Sequence, residues 1–243
     1  CWGSNGDAEF GAGTRGTSSG VPVVAAGGRA FASVSGGNDF TCAVTAAGEG
    51  RCWGYDGFGN LGDSTRISSG NTLNPTPQRV AGGHAWRAIA ASQHYACGVT
   101  VTGEGYCWGR SQTGRLGNGT TGAVSWPQAV AGGHTFRAIA TGSSHACGVT
   151  TDDAVWCWGS AGQGQLGAVV QNASTRPVRA GGDAFTASEV AAANIGTGAA
   201  AYTCAISADR LATYCWGRND RGQLGNGRTT VGDAPNVTPS IVV

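Results

Sequence analysis

The tripeptide Cys-Trp-Gly occurs five times in this chain, beginning at Cys1, Cys52, Cys107, Cys157 and Cys215, at intervals of 50 to 58 residues. That period is the length of one small antiparallel sheet with its connections, and a unit so small buries its faces only by stacking on its neighbours. The repeat therefore predicts one array with a shared core. Its consensus is longer than the tripeptide. Ala81 to Gly109 and Ala131 to Gly159 are identical at more than half of their positions, with diverged siblings starting at Ala26 and Ala180. A Gly-Xaa-Leu-Gly turn follows the tripeptide and ends at Gly62, Gly117, Gly167 and Gly225, while the first copy has Ala8 and Phe10 in place of its first Gly and its Leu. A proline closes each variable loop, at Pro22, Pro77, Pro127, Pro177 and Pro239.

Within one copy, apolar alternation predicts strands at Phe136 to Ala140, Ala146 to Thr150, Val155 to Gly159 and near Pro177 to Ala180. No helical apolar period persists for three turns. Four short strands per unit predict an all-β propeller of four-stranded antiparallel blades. The chain then divides into a half blade at 1–25 and blades at 26–80, 81–130, 131–179 and 180–243. Such an array is either a segment of a longer propeller or an incomplete five-bladed ring.

Eight of the nine cysteines form pairs: Cys42 with Cys52, Cys97 with Cys107, Cys147 with Cys157, and Cys204 with Cys215. A hairpin turn near Thr102 and Gly103 sets residues 97 and 107 opposite one another, where Cα atoms lie about 4.5–5.5 Å apart and a disulfide fits. The last pair spans one more residue, which a β-bulge would absorb. Structural disulfides are the expectation, with buried thiols and metal or redox use as the alternatives. The closely spaced Cys-Xaa2–4-Cys units of zinc sites are absent from the sequence. Four disulfides imply an oxidising compartment. Cys1 lacks its counterpart about ten residues upstream and is expected to be the severed half of a fifth pair.

The stretch from His145 to Gly167, HACGVTTDDAVWCWGSAGQGQLG, resembles a repeat of the regulator of chromosome condensation family, and the resemblance covers nearly the whole chain. It implies a propeller fold. For function it implies less, since such repeats serve in a nuclear nucleotide-exchange factor, a plant light sensor, secreted bacterial enzyme inhibitors and plant receptor ectodomains. The paired cysteines resemble the extracellular members.

Composition narrows the classes further. A net charge of +1 with only 12% charged residues leaves no electrostatic footprint for nucleic acid or an anionic membrane. Gly is 44 of 243 residues, against a usual share of about 7%, which the repeated tight turns account for. All fifteen basic residues are arginine. No run of 18 apolar residues exists to span a bilayer.

Trp2, Trp53, Trp108, Trp158 and Trp216 share one repeat position and are assigned to core packing, whereas Trp126 and Trp156 fall outside it and are candidate exposed contacts. His84 and His134 fill a turn slot that Arg29 and Asp183 occupy elsewhere, which predicts a solvent-facing position. His94 and His145 precede repeat cysteines, with no nucleophile in register. Glu49, Glu104, Asp152 and Asp153 occupy hairpin turns and are read as turn residues rather than a paired-carboxylate site. No catalytic residue, metal or cofactor is expected. Sequons at Asn118, Asn172 and Asn236 predict N-glycosylation in equivalent outer loops.

Positions that differ between copies just after the tripeptide are where a partner would be read: Ser4 and Asn5, Tyr55 and Phe58, Arg110 and Arg115, Arg218 and Arg221. The resulting expectation is a secreted or cell-surface binding module without catalysis. Its partner would be a protein or a glycan, or other copies in an extracellular assembly. A structural subunit of an extracellular fibre or coat is the second reading, and an extracellular hydrolase or lyase the third.

Overall fold

The computed structural model describes residues 1–65, 72–193, 201–229 and 236–243. Among these, sixteen strands and no helix form four four-stranded antiparallel sheets, each in chain order. The first holds β1 (Phe31–Gly36), β2 (Phe40–Thr45), β3 (Gly50–Tyr55) and β4 (Leu73–Arg79). The second holds β5 (Trp86–Ala91), β6 (Tyr95–Thr100), β7 (Gly105–Gly109) and β8 (Val124–Ala129). The third holds β9 (Phe136–Thr141), β10 (His145–Thr150), β11 (Val155–Ser160) and β12 (Ala173–Arg179). The fourth holds β13 (Ala187–Ala192), β14 (Tyr202–Ser207), β15 (Thr213–Gly217) and β16 (Asn236–Ile241). The fourth strand of each blade starts earlier than its proline suggested, because the residues before Pro177 already pair with β11 through Ala173 and Ser174. Residues 1–25 contain one isolated bridge, between Gly3 and Ser19.

The chain forms two compact units, one of 1–102, 106–111 and 122–128, the other of 103–105, 112–121 and 129–243. In the first unit β5 packs on β1 and β2, around Phe40, Val44, Leu61, Trp86, Ile89 and Trp108. In the second, β13 packs on β9 and β10, around Val149, Val155, Leu166, Ala187 and Trp216. Strands β2, β6 and β10 are buried at every residue. Their unbroken Val-, Ala- and Cys-rich runs are what a strand covered on both faces requires.

All four cysteine pairs are joined, with Cα atoms 4.0 to 4.1 Å apart. The extra residue between Cys204 and Cys215 is taken up in the turn rather than by a bulge. The β14–β15 register runs without a shift from Tyr202–Gly217 to Ile206–Thr213. Ser207 N–H then reaches Ala212 O, one residue further than the Thr45 to Glu49 and Thr150 to Ala154 closures. Cys1 is the one free cysteine and is exposed.

The repeats are tied together by their tryptophans. The indole N–H of Trp53 donates to Glu9 O at 2.7 Å, Trp108 to Asn60 O at 3.0 Å, Trp158 to Arg115 O at 2.9 Å and Trp216 to Gln165 O at 3.0 Å. Each acceptor is the second residue of the preceding Gly-Xaa-Leu-Gly turn or its degenerate first copy. The next Leu, or Phe10, is buried against the core. The last glycine of the turn has φ near +68° in all four cases, and a Cβ there would stand 2.6 to 2.8 Å from the indole of the following repeat. Ala8 takes the same left-handed backbone, φ 67°, that Gly59, Gly114 and Gly164 take in their copies, so the first turn keeps its shape without its glycine.

Trp2 departs from its siblings. It is 70% exposed rather than packed. The prolines are explained by the sheet edges: Pro75 and Pro77 lie in β4, Pro127 in β8, Pro177 in β12 and Pro239 in β16, each the last strand of its sheet. A proline without N–H blunts such an edge against pairing with another chain.

Gly117→Ala is expected to destabilise the protein by about 2–4 kcal/mol, since it combines a strained φ with a clash against Trp158. Gly122→Ala, where a Cβ meets open space, should shift stability by less than about 0.5 kcal/mol, and urea titration of the two variants checks both values.

Candidate functional site

Three loops of the first unit bring one cluster together. Tyr55 ends β3, Phe58 lies in the turn after it, His94 immediately precedes β6, and Arg110 follows β7. Phe58 stands 4.9 Å from His94 and 6.0 Å from Tyr55 between ring centroids, and the Arg110 guanidinium lies 4.8 Å over the Phe58 ring. Tyr55 and His94 meet edge to face at 6.3 Å. All four are half-buried. Together they form a cationic-aromatic patch of the kind that anchors interfaces.

The patch is held from below by its turn. Asp56 Oδ1 accepts Leu61 N–H at 2.9 Å and Oδ2 accepts the Thr65 hydroxyl at 3.0 Å, while Asn60 Nδ2 donates to Tyr55 O. The same device recurs elsewhere: Asn5 Oδ1 accepts Phe10 N–H and Asn219 Oδ1 accepts Leu224 N–H, each at 3.0 Å. Asn5 is thus a buried turn organiser and not a partner-reading residue, although its neighbour Ser4 is exposed.

Other sequence candidates separate. Arg115 is 5% exposed, and its Nη1 donates to Ser143 O at 3.0 Å, so it is a packing residue. Arg218 is paired with Asp220 at 2.6 Å, and Arg221 is exposed one residue further on. Trp126 is 49% exposed on β8. Trp156 is instead half-buried, with His134 stacked at 4.0 Å and the Arg179 guanidinium 5.9 Å over its ring. His84 likewise stacks on Tyr106 at 4.1 Å. The histidine turn slot is therefore an aromatic shelf, not a tolerant solvent position. Of the sequons, Asn118 lies in a loop and Asn172 just before β12, but Asn236 is inside β16, where its Nδ2 donates to Gly217 O at 3.2 Å.

The acids behave as turn residues. Glu49 sits 2.9 Å from Arg51, whose hydrogen bond and charge hold its carboxyl below the usual range. Asp153 pairs with Arg137 and Asp152 accepts the Thr150 hydroxyl. No group of three His, Cys, Asp or Glu side chains able to hold a metal occurs among the described residues. Two ionisable groups are strongly perturbed. Burial pushes the Asp56 carboxyl up to about 6, with the Asp63 charge adding to it against the bonds from Leu61 and Thr65. Burial pushes the His145 imidazole down to about 4. His145 fills the slot of Phe40, Tyr95 and Tyr202, with Nε2 2.8 Å from the Thr203 hydroxyl, which in turn donates to Gln165 O, the carbonyl that receives the Trp216 indole.

Fold and repeat define a disulfide-stapled propeller array. The profile of the Regulator of chromosome condensation (RCC1) repeat matches residues 102–149 and 212–242, and a second profile of that repeat matches 136–165. Residues 102–165 and 212–242 thus match repeats of this family, in a cysteine-paired form. It is 34% identical over 122 residues to the Ultraviolet-B receptor UVR8 of Arabidopsis thaliana, a match covering 49% of this chain and 27% of that receptor. Human WBSCR16 superposes with a TM-score of 0.82 at 18% identity, over 100% of this chain and 61% of its own. Prp20p from Saccharomyces cerevisiae superposes with 0.80 at 22% identity, over 100% and 58%. The chain thus spans about three fifths of these solved structures and about a quarter of the curated receptor. Among the described residues no helix is long and apolar enough to cross a membrane.

Asp56 and His145 give stability pH dependences of opposite sign. A carboxyl raised in the folded state stabilises fully below about pH 4 and loses that contribution as pH rises through about 6. A histidine lowered in the folded state stabilises fully above about pH 6.5 and loses that contribution as pH falls through about 4. From pH 4 to 6 the two oppose, so Asp56→Asn should leave stability rising with pH and His145→Phe should leave it falling. Urea midpoints measured at half-unit pH steps check this, and parallel profiles for the two variants would contradict it.

Proposed function

We propose that the chain is a protein-binding module of an oxidising, extracellular or cell-surface compartment, and that it reads its partner through Tyr55, Phe58, His94 and Arg110. The observation that carries the reading is the convergence of these side chains from three loops onto one patch. They occupy positions that change from copy to copy above a scaffold that does not: Tyr55 and Arg110 stand where Ser4, Ser160 and Arg218 stand in the other copies. Tyrosine and arginine are the residue types that dominate binding hot spots. Loops on a rigid scaffold are the ordinary site of recognition.

A relative supports the protein-partner class, since the solved Prp20p structure is described together with its binding to Gsp1p and histones. This chain's near-neutral charge favours a different partner from a histone. The compartment is supported by the four closed hairpins, whose disulfides persist where glutathione does not reduce them.

Two measurements test the reading. Peptide mapping of protein from its native source, with thiols blocked at lysis, should recover all eight paired cysteines as disulfides; free thiols would remove the compartment. For a partner identified by crosslinking from position 58, Phe58→Ala and Arg110→Ala should each weaken binding at least about tenfold, while Trp126→Ala leaves it within about twofold. Equal losses for all three would place the contact elsewhere.

A further inference from the structure

We infer that Asn118 is the asparagine that carries an N-linked glycan in the folded protein, and that Asn236 carries none. This rests on the proposed passage through an oxidising secretory compartment. All three sequons have the required residues: Asn118 with Thr120, Asn172 with Ser174, and Asn236 with Thr238. The fold treats them differently.

At Asn118 the hydroxyl and the amide already meet. Asn118 Oδ1 accepts Thr120 N–H at 3.1 Å and the Thr120 hydroxyl at 3.0 Å. Asn118 is half-buried, but the residues that follow it, 120 to 123, are exposed, and the loop is fixed by its backbone, since Gly119 N–H donates to Thr175 O at 2.8 Å. Among the described residues the Asn118 Nδ2 donates no hydrogen bond, so a sugar attached there displaces none.

At Asn172 the amide is exposed, but the Ser174 hydroxyl is committed to Arg176 O at 2.6 Å and Ala173 is already paired into β12. Asn236 is half-buried within β16, and its Nδ2 holds Gly217 O at 3.2 Å. Gly217 ends the Cys-Trp-Gly tripeptide and has φ +105°, with its would-be Cβ 2.5 Å from Ala201 O. A glycan on that nitrogen would leave it a single N–H and force bulk beside the Gly217 carbonyl, into a strand packed at that crowded turn.

The co-reactant is an oligosaccharide carried on a polyisoprenyl diphosphate. In the transfer, the bond from Asn118 Nδ2 to the sugar C1 forms and the C1–O bond to the diphosphate breaks. The diphosphate leaves with that electron pair, and the amide proton is lost to solvent. Nothing is oxidised or reduced.

The chain, secreted from a eukaryotic cell behind a signal peptide, is treated with peptide N-glycosidase in heavy-oxygen water and its sequon peptides are weighed. Occupancy should be highest at Asn118, lower at Asn172 and at background at Asn236. Asn118→Gln should abolish most of the glycosidase-sensitive mass, Thr120→Ser should retain it, and Asn236→Gln should leave it unchanged. A bare Asn118, or Asn236 filled to the level of Asn118 in secreted protein, overturns the inference. Thiol mapping of protein from its native source separates the two failures: four disulfides there with a bare Asn118 here sink the glycan alone, and free thiols there sink the compartment on which it rests.

Discussion

In four of the five Cys-Trp-Gly copies the tryptophan lies on the turn that the preceding repeat contributes, with its indole N–H on one backbone carbonyl and its ring on one glycine. Four such contacts, at 2.7 to 3.0 Å, recur from Trp53 to Trp216. Two of the carbonyls take a second bond from a threonine hydroxyl, Thr41 on Glu9 O and Thr203 on Gln165 O. Burying an indole without a partner for its N–H costs on the order of 1–3 kcal/mol, so each contact satisfies a donor that the packed repeats would otherwise strand. The closing glycine follows from the same contact. Its missing Cβ is the space the ring occupies, and its left-handed φ is the turn that brings the carbonyl round.

That interaction explains which parts of the molecule were legible beforehand. The spacing of the tripeptides and their cysteines made the four sheets and the four hairpin staples readable, because register and opposition across a hairpin follow directly from counting residues. Arg115 and Asn5 depart from expectation for a common reason. Both lie where copies differ, and difference resembled surface freedom. Arg115 holds the position from which only the backbone carbonyl is needed, so its side chain is free to vary while staying buried. Asn5, Asp56 and Asn219 tie down the same turn in their copies, although Ala161 fills that slot in another.

Trp2 and the histidines fail differently. A residue's repeat position predicts burial only where a neighbouring turn covers it, as it covers Trp53, Trp108, Trp158 and Trp216, whereas Trp2 is 70% exposed. His84 and His134 share a slot with Arg29 and Asp183, which looked like tolerance of charge, yet both histidines stack on an aromatic at the residue before a tripeptide cysteine. The signal was present in Tyr106 and Trp156, whose planar rings invite a planar partner. His94 has no nucleophile in register, yet it sits beside Phe58 on the loop surface.

The account divides the chain into a scaffold, made of indoles, turn glycines and staples, and a loop surface free to differ from copy to copy. Its central claim is that the indole contacts hold the repeats together. Hydrogen exchange of the indole N–H protons, followed by NMR, tests that claim directly. The account predicts that Trp53, Trp108, Trp158 and Trp216 exchange only through unfolding of the unit that holds them, while Trp2 and Trp126 exchange orders of magnitude faster. Exchange of the four as fast as that of Trp2, in folded protein, would contradict it.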